Sequence, residues 1–482
     1  MESPLLDSLP PEVVYRRVPL PDEENAYPLW RAAAAISEKS TYRYTDDGDG
    51  KRKLPFGSPP ALDAARRHLA ECRAALELFD AGLARNKLQV PPSGKTYDPL
   101  DYSWPRSLFH LTRLRGRVAA ADGDLPRAIE SFTACQRFGD LLSDGDGNTL
   151  HYVFGSAVRE GAACDLRDCA TQFSCDEATL AAAAEALQAS LDSPDGYAAA
   201  LRVMLCDEFL PHLERMPETD SLEDLVAALI AHFYDLGPPD AKPDAEAEAN
   251  WGEYRQAAME VLLDGHPRLF DKRDTARLLG EEVARRIAIA QHPWTARSRT
   301  WVRDLWRNAT ARLGVYRPVE DWPLALMPSF TSRSLRRLRG KSCRRYLPAW
   351  LLAEARLPSF ARLKRQRRRL LAVENPIGRM IASSATIVSV VSHHDVARRV
   401  ALLSVVLHRH AVRHARLPNS LGDLISGGLL REVPLDPYCG RPLRYCPRRR
   451  IVWSVGMDGR DNGGRQGSAL QKGTDMVFSV GV

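Results

Sequence analysis

The sequence predicts a mainly α-helical protein: a large, irregular helical region followed by a small C-terminal α+β module with a short antiparallel sheet. Three observations predict it. Between Pro60 and about Ala311, Ala, Leu, Arg and Glu dominate and apolar residues recur at three- and four-residue spacing, with no alternating pattern of useful length. Beyond Asn375 the pattern changes to one amphipathic helix, then to turn residues and short β-branched runs. With 482 residues, 44% hydrophobic and 27% charged, the chain has room for about three domains and an ordinary globular balance. That balance excludes a disordered, collagen-like or multi-spanning membrane protein.

In chain order, residues 1–58 read as an irregular segment with one short helix, opening near Glu24-Asn25-Ala26 and running through Ala35. A polar loop rich in Gly and Pro, Thr45 to Pro60, ends it. Residues 59–236 form a helical domain and residues 237–330 a second helical group, divided from the first by the polar insert Gly237 to Asn250. One hairpin is specific, at 111–140: LTRLRGRVAAADGDLPRAIESFTACQRFGD. Gly116, Gly123, Ala128, Phe132 and Cys135 let two antiparallel helices approach closely, with Gly123-Asp124 as the turn. The spacing resembles a tetratricopeptide repeat, so the helical region is partly tetratricopeptide-like. Arg115 stands where that repeat wants a large apolar residue, and no second clean copy is present. Either one repeat-like hairpin sits in an irregular domain, or the region is a degenerate array.

Residues 331–391 read as a basic helical connector. From Thr331 to Arg369 there are fourteen Lys or Arg and one acid, Glu354, a net of +13 against +6 for the whole chain. The rest of the chain is therefore acidic. Arg336, Arg337, Arg344, Arg345, Arg365, Arg367, Arg368 and Arg369 are the candidates for holding an anionic partner, nucleic acid or acidic lipid. A solvated or internally paired face accounts for the same charges. Tyr346, Trp350 and Phe360 are few for base stacking, and Leu357-Pro358 interrupts a continuous basic helix.

The module occupies 392–482. Ser392-His393-His394-Asp395 has the form of a capping box, with Val391 and Val396 as a staple, and predicts a helix start at Ser392. Val396, Val400, Leu403, Leu407 and Ala411 give that helix a buried face, and Leu417-Pro418 ends it. A short helix at Asn419 to Ile425 stops at Gly427-Gly428. Then come Pro434-Leu435-Asp436-Pro437, a turn at Cys439-Gly440, strand-like runs at Pro442 to Tyr445 and Ile451 to Val455, a Gly- and Asp-rich loop, and a last strand, Asp475 to Val480.

The order RLPNSLGDL, LDPYCGRPLRY, WSVGMDGRDNGG, DMVF resembles the soluble part of the major pseudopilins of type II secretion. With its Glu24-Asn25-Ala26 opening and Asn375-Pro376-Ile377-Gly378-Arg379 junction, the whole chain looks like large helical proteins of planctomycete-type bacteria that carry such a tail. A pseudopilin begins with an apolar membrane helix, whereas here residues 1–391 precede the module, so assembly into a pilus is not implied. The resemblance does imply calcium in the loop, with Asp458, Asp461, Asn462 and Asp475 as hard oxygen ligands. Arg460, Arg465 and Lys472 oppose a cation there, and Asp and Gly turn chemistry alone also accounts for the loop.

Other signals are weaker. His410 and His414, with His408 nearby, stand an adjacent turn apart, a spacing that can grip one transition metal, but no Glu completes a HExxH motif and surface histidines on an Arg-rich helix are the simpler account. Gly94-Lys95-Thr96 lacks the earlier glycine of a phosphate loop. Asp144-Gly145-Asp146-Gly147-Asn148 lacks the later residues of a calcium loop and reads as the turn after the hairpin, while Trp294, Trp301 and Trp306 read as helix packing. Nine cysteines without a CxxC pair give neither a zinc cage nor a disulfide framework; only Cys439 and Cys446 flank a turn that a bridge would span.

The longest apolar-leaning run, Met380 to Ser392, is too short for the ~20 residues of a membrane helix. The start, Met1-Glu2-Ser3-Pro4-Leu5-Leu6-Asp7, lacks a basic stretch before an apolar core. A cytoplasmic chain is the default expectation; an anchor upstream of Met1 would place it at the envelope. The expected role is non-catalytic, a protein-binding or scaffolding body with the module as docking element. The alternative is an anionic-surface binder through 333–369, and a hydrolase without a recognisable motif is the third reading.

Overall fold

Asn25 opens the first helix. Its side-chain oxygen accepts from the Tyr27 amide at 3.1 Å, and α1 (Ala26–Ser37) turns Trp30, Ala33 and Ala34 inward. In this computed structural model the described residues are 3–38, 59–91, 103–193, 195–215, single helical positions between 273 and 288, 376–456, 459–466 and 474–480, with the backbone alone along 376–390. α2 (Pro59–Glu71) and α3 (Arg73–Arg85) follow, and α3 closes on α1 at Gly82, where a methyl group would run into the Trp30 indole. Trp30 Nε1 donates to the Phe79 carbonyl at 3.1 Å, and its ring meets Phe138 edge-on with centroids 4.7 Å apart.

α4 (Ser103–Ala121) and α5 (Leu125–Asp144) make the helical hairpin that the sequence predicts over 111–140. Gly123 turns the chain at φ +82°, and Asp124 caps α5 by accepting from the Arg127 amide at 3.3 Å. Gly116 lies directly beneath the Phe132 ring. The turn after the hairpin ends at Asn148, whose side chain accepts from the Leu150 and His151 amides at 3.0 and 3.2 Å and starts α6 (Thr149–Gln172). Asp165 of α6, fully buried, is gripped by both ends of the Arg113 guanidinium from α4, with Nη2 to Oδ1 at 2.8 Å. Asp176 caps α7 (Glu177–Asp192) through the Thr179 amide at 2.7 Å. α8 (Tyr197–Val203), a π-helical turn at Met204–Phe209 and α9 (Leu210–Arg215) complete the body. Leu5, Leu6, Leu9 and Val13 at the start of the chain are buried with Leu201, Leu205 and Leu210, and with Ala276, Val283 and Ile287.

The expected helix start at Ser392 is corrected. α10 is a single helix, Pro376–His414, and Ser392 is a buried residue inside it. Asp395 is one methylene shorter than the Glu or Gln that closes a capping box. Its carboxylate instead accepts from Arg399 Nε at 2.9 Å and pairs with Arg398 at 3.6 Å, one turn further on. The predicted stripe Val396, Val400, Leu403, Leu407 and Ala411 is buried, and so are Ala401, Leu402, Val405 and Val406. A helix buried on several faces is enclosed, and α10 is packed against α6 and α7 while also touching α11 (Gly422–Ser426) and the sheet.

The sheet has three antiparallel strands in the order β1 (Arg444–Cys446), β2 (Ile451–Ser454), β3 (Met476–Ser479), with Tyr445 opposite Val452 and Val452 opposite Phe478. β1 begins later than the predicted run because Pro442 and Leu443 pair with the preceding segment instead, Pro442 bridging Leu435 and the Leu443 amide donating to the Pro434 carbonyl at 3.0 Å. Residues from Val396 to Val480 share one hydrophobic core with Ala128, Phe132, Leu166, Leu180 and Leu187 of α5, α6 and α7. Among the described residues, no helix is long and apolar enough to cross a membrane.

Candidate functional site

The module's polar residues gather around Asp436, which is fully buried at the Asp-Pro turn. Asp436 Oδ1 accepts from the Tyr438 amide at 2.9 Å, an Asx turn, and from Ser454 Oγ at 2.8 Å. Oδ2 accepts from the Val455 amide at 2.8 Å and from Arg444 Nη1 at 3.5 Å. The turn is thereby tied to the end of β2. Arg444 bridges onward: its Nε donates to Asp461 Oδ2 at 2.9 Å and its Nη1 to Cys439 Sγ at 3.5 Å. Asp461 Oδ1 also accepts from Trp453 Nε1 and the Gly463 amide, both at 3.0 Å. Burial works against the charge of Asp461, but these donors outweigh it and hold its pKa below the usual carboxylate range.

Asp475 is fully buried and serves the glycine-rich loop in the same manner. Its oxygens accept from the amides of Asn462 at 3.1 Å, Gly464 at 2.8 Å and Arg465 at 3.3 Å, and from Asn462 Nδ2 at 3.4 Å. The structure thus brings Asp461, Asn462 and Asp475 together, as the sequence suggests; Asp458 lies outside the described residues. Calcium takes six to eight oxygens with free lone pairs. Here N–H groups aim at both carboxylates and a guanidinium sits on Asp461, so as placed the three residues do not fit a calcium cage. Among the described residues, no group of three or more His, Cys, Asp or Glu is placed to hold a metal. Cys439 and Cys446 are free thiols.

A second polar cluster lies in the seam between α10 and the body. Arg398 is buried, and its Nη2 donates to the Ser190 carbonyl and, at 3.1 Å, to Ser190 Oγ at the end of α7. Burial, helped by the charge of nearby Arg159, pulls its pKa down to about 10. Arg159 of α6 pairs with Asp140 of α5 at 3.6 Å. Asp144 lies in the same field, and burial pushes its pKa up to about 6. Further along the seam, His394 Nδ1 is 3.1 Å from Ser156 Oγ and its Nε2 is 3.6 Å from Glu160. Arg409 and Arg413 both reach Glu177, at 2.6 and 2.9 Å from Nε. Arg399 Nη1 donates to the Leu435 carbonyl at 2.8 Å, joining α10 to the Asp436 turn.

The eight arginines proposed to hold an anionic partner, Arg336 to Arg369, lie outside the described residues, as do Gly94 to Thr96, the 237–250 insert and Trp294 to Trp306. Sequence reasoning missed Asp436 as a hub, although an Asp-Pro pair followed by a small turn was the available signal. It missed the Arg398 seam altogether, since nothing local marks a partner about two hundred residues away. Compared with known proteins, the chain matches no family model, no curated protein and no solved structure.

Proposed function

We propose that the protein is a non-catalytic scaffold that binds a protein partner, with residues 392–482 as its docking module. The observation that carries this reading is α10, one helix that is core for the body through α6 and α7 and for the module through α11 and β2. A partner seated on the module is therefore mechanically continuous with the helical body. Val412, Ile425 and Leu435 are exposed apolar side chains on the module side and supply contact points. The buried carboxylates there are engaged in building loops, which favours a presented surface over a reaction centre.

The pseudopilin-like reading of the tail is supported by its order of helix, Asp-Pro turn, three antiparallel strands and Gly/Asp loop. The Gly116–Phe132 approach supports the repeat-like reading of 111–140. A cytoplasmic location, or the envelope if an anchor lies upstream, goes with this proposal. The charge asymmetry of 333–369 favours a second reading, an anionic-surface binder. Affinity isolation with the tagged full chain, followed by reconstitution with the identified partner, separates them. A scaffold gives binding that persists from about 50 to 200 mM salt and falls when Ile425→Asp is introduced. A loss of ~10³-fold over that range, insensitive to Ile425→Asp, would replace the scaffold with the anionic-surface reading.

A further inference from the structure

His410 and His414 are not needed by the seam or by the loop cluster, yet the fold places them together. Their rings are one helical turn apart near the C-terminal end of α10, with centroids 4.4 Å apart. His408 is on a different face, its Nδ1 buried without a hydrogen-bond partner. We propose that His410 and His414 form an open, two-imidazole site for a divalent first-row transition ion.

The geometry supplies what such a site requires. His410 Nδ1 is 3.0 Å from the Arg416 carbonyl oxygen, which can only accept; the proton therefore sits on Nδ1 and the lone pair on Nε2. That is the tautomer in which metal-ligating histidines are held by an outer hydrogen bond. Ala415, in the left-handed region at φ 55°, turns the chain so that this carbonyl comes back to the ring. His414 is exposed on the next turn and free to swing to an ion.

The electrostatics are compatible with a cation. The last turn of a helix carries partial negative charge, and the guanidinium groups of Arg409 and Arg413 are drawn aside to Glu177. Asp423 stands close by, its carboxylate accepting from the Ser420 hydroxyl at 2.8 Å and from the Asn419 and Ser420 amides at 2.9 and 3.2 Å. Arg416 is the remaining nearby cation. No third His, Cys, Asp or Glu joins the pair among the described residues, so water fills the other coordination positions. Imidazole suits zinc, copper and nickel, and hard ions such as calcium and magnesium gain little from it.

The test is titration of the full chain with Ni2+ and with Zn2+, ions that do not oxidise thiols, followed by calorimetry. Wild type is compared with His414→Ala, His410→Ala and the double variant. Each single variant is expected to lose about tenfold or more in affinity for one ion. The double variant is expected to lose less than the sum of the two single losses, because either change already destroys the chelate and leaves one weakly binding imidazole. Equal binding by wild type and His414→Ala would overturn the site, and so would single losses that simply add. His414 is exposed, so His414→Ala decides the question even if the buried His410 cannot be replaced without unfolding.

Discussion

Arg398 of α10 donates to both the main-chain oxygen and the hydroxyl of Ser190, at the C-terminal turn of α7. This is one of the points where α10 is fastened to the body, beside the hydrophobic core that the two share. Arg398→Ala is expected to destabilise the protein by about 3 kcal/mol, since it strands buried acceptors and leaves a cavity. Arg398→Met fills the space and should cost clearly less. Because body and module share that core, denaturation followed by tryptophan fluorescence and by circular dichroism should shift together in both variants.

Asp144 gives a pH dependence with a definite sign. Its folded pKa of about 6 lies above its ordinary value of 3.8, so the folded chain holds this proton more tightly than the unfolded chain does. Its contribution to stability falls as pH rises from about 4 through 6, then levels off. Asp144→Asn should gain about 1–2 kcal/mol at pH 7, partial exposure having been allowed for, and almost nothing at pH 4. Urea midpoints measured across that range check it.

His151 works in the opposite direction. Burial lowers its pKa from 6.5 to about 4, so the unfolded chain binds the proton first and stability is lost as pH falls from about 6.5 to 4. The two groups offset one another between about pH 4 and 6. The slope of the His151→Gln variant should turn more negative across that interval, and that of Asp144→Asn more positive.

Gly116→Ala sets two magnitudes against each other. Alanine improves helix propensity by about 1 kcal/mol, but its methyl would enter the Phe132 ring, and overpacking of that kind costs about 1–3 kcal/mol. Net destabilisation is expected. Gly116→Ala combined with Phe132→Leu should recover part of it in a thermal melt.

Asp436→Asn replaces one accepting oxygen by a donor that faces amides already pointing at it. A loss of about 2–4 kcal/mol is expected, with faster hydrogen exchange first at the Tyr438 and Val455 amides. Calcium offers a contrasting check on the neighbouring loop. Thermal midpoints with calcium and with chelator should coincide, whereas a rise of several degrees would seat the ion on Asp461, Asn462 and Asp475 after all.

What was legible in the sequence was local. The Gly116, Gly123 and Phe132 spacing located a hairpin, and the short β-branched run around Val452 located a strand, because helix and strand preferences are written in neighbouring residues. The site was legible only as a set of residue types. Asp475 looks like a ligand in sequence and is a loop anchor in space, since donors from Asn462, Gly464 and Arg465 converge on it only once the strand has paired. Ser392 shows the same limit at a boundary: its pattern is that of a helix start, and its burial inside the continuous helix Pro376–His414 overrides it.

The wide separation of packing partners bears on synthesis. Leu5, Leu6, Leu9 and Val13 find their neighbours near 201–210 and 276–287, and the core around Leu166 and Leu180 is completed by residues beyond 396. Apolar surface translated early therefore waits for segments that leave the ribosome much later, so a nascent chain keeps that surface open to aggregation until the residues beyond 396 emerge.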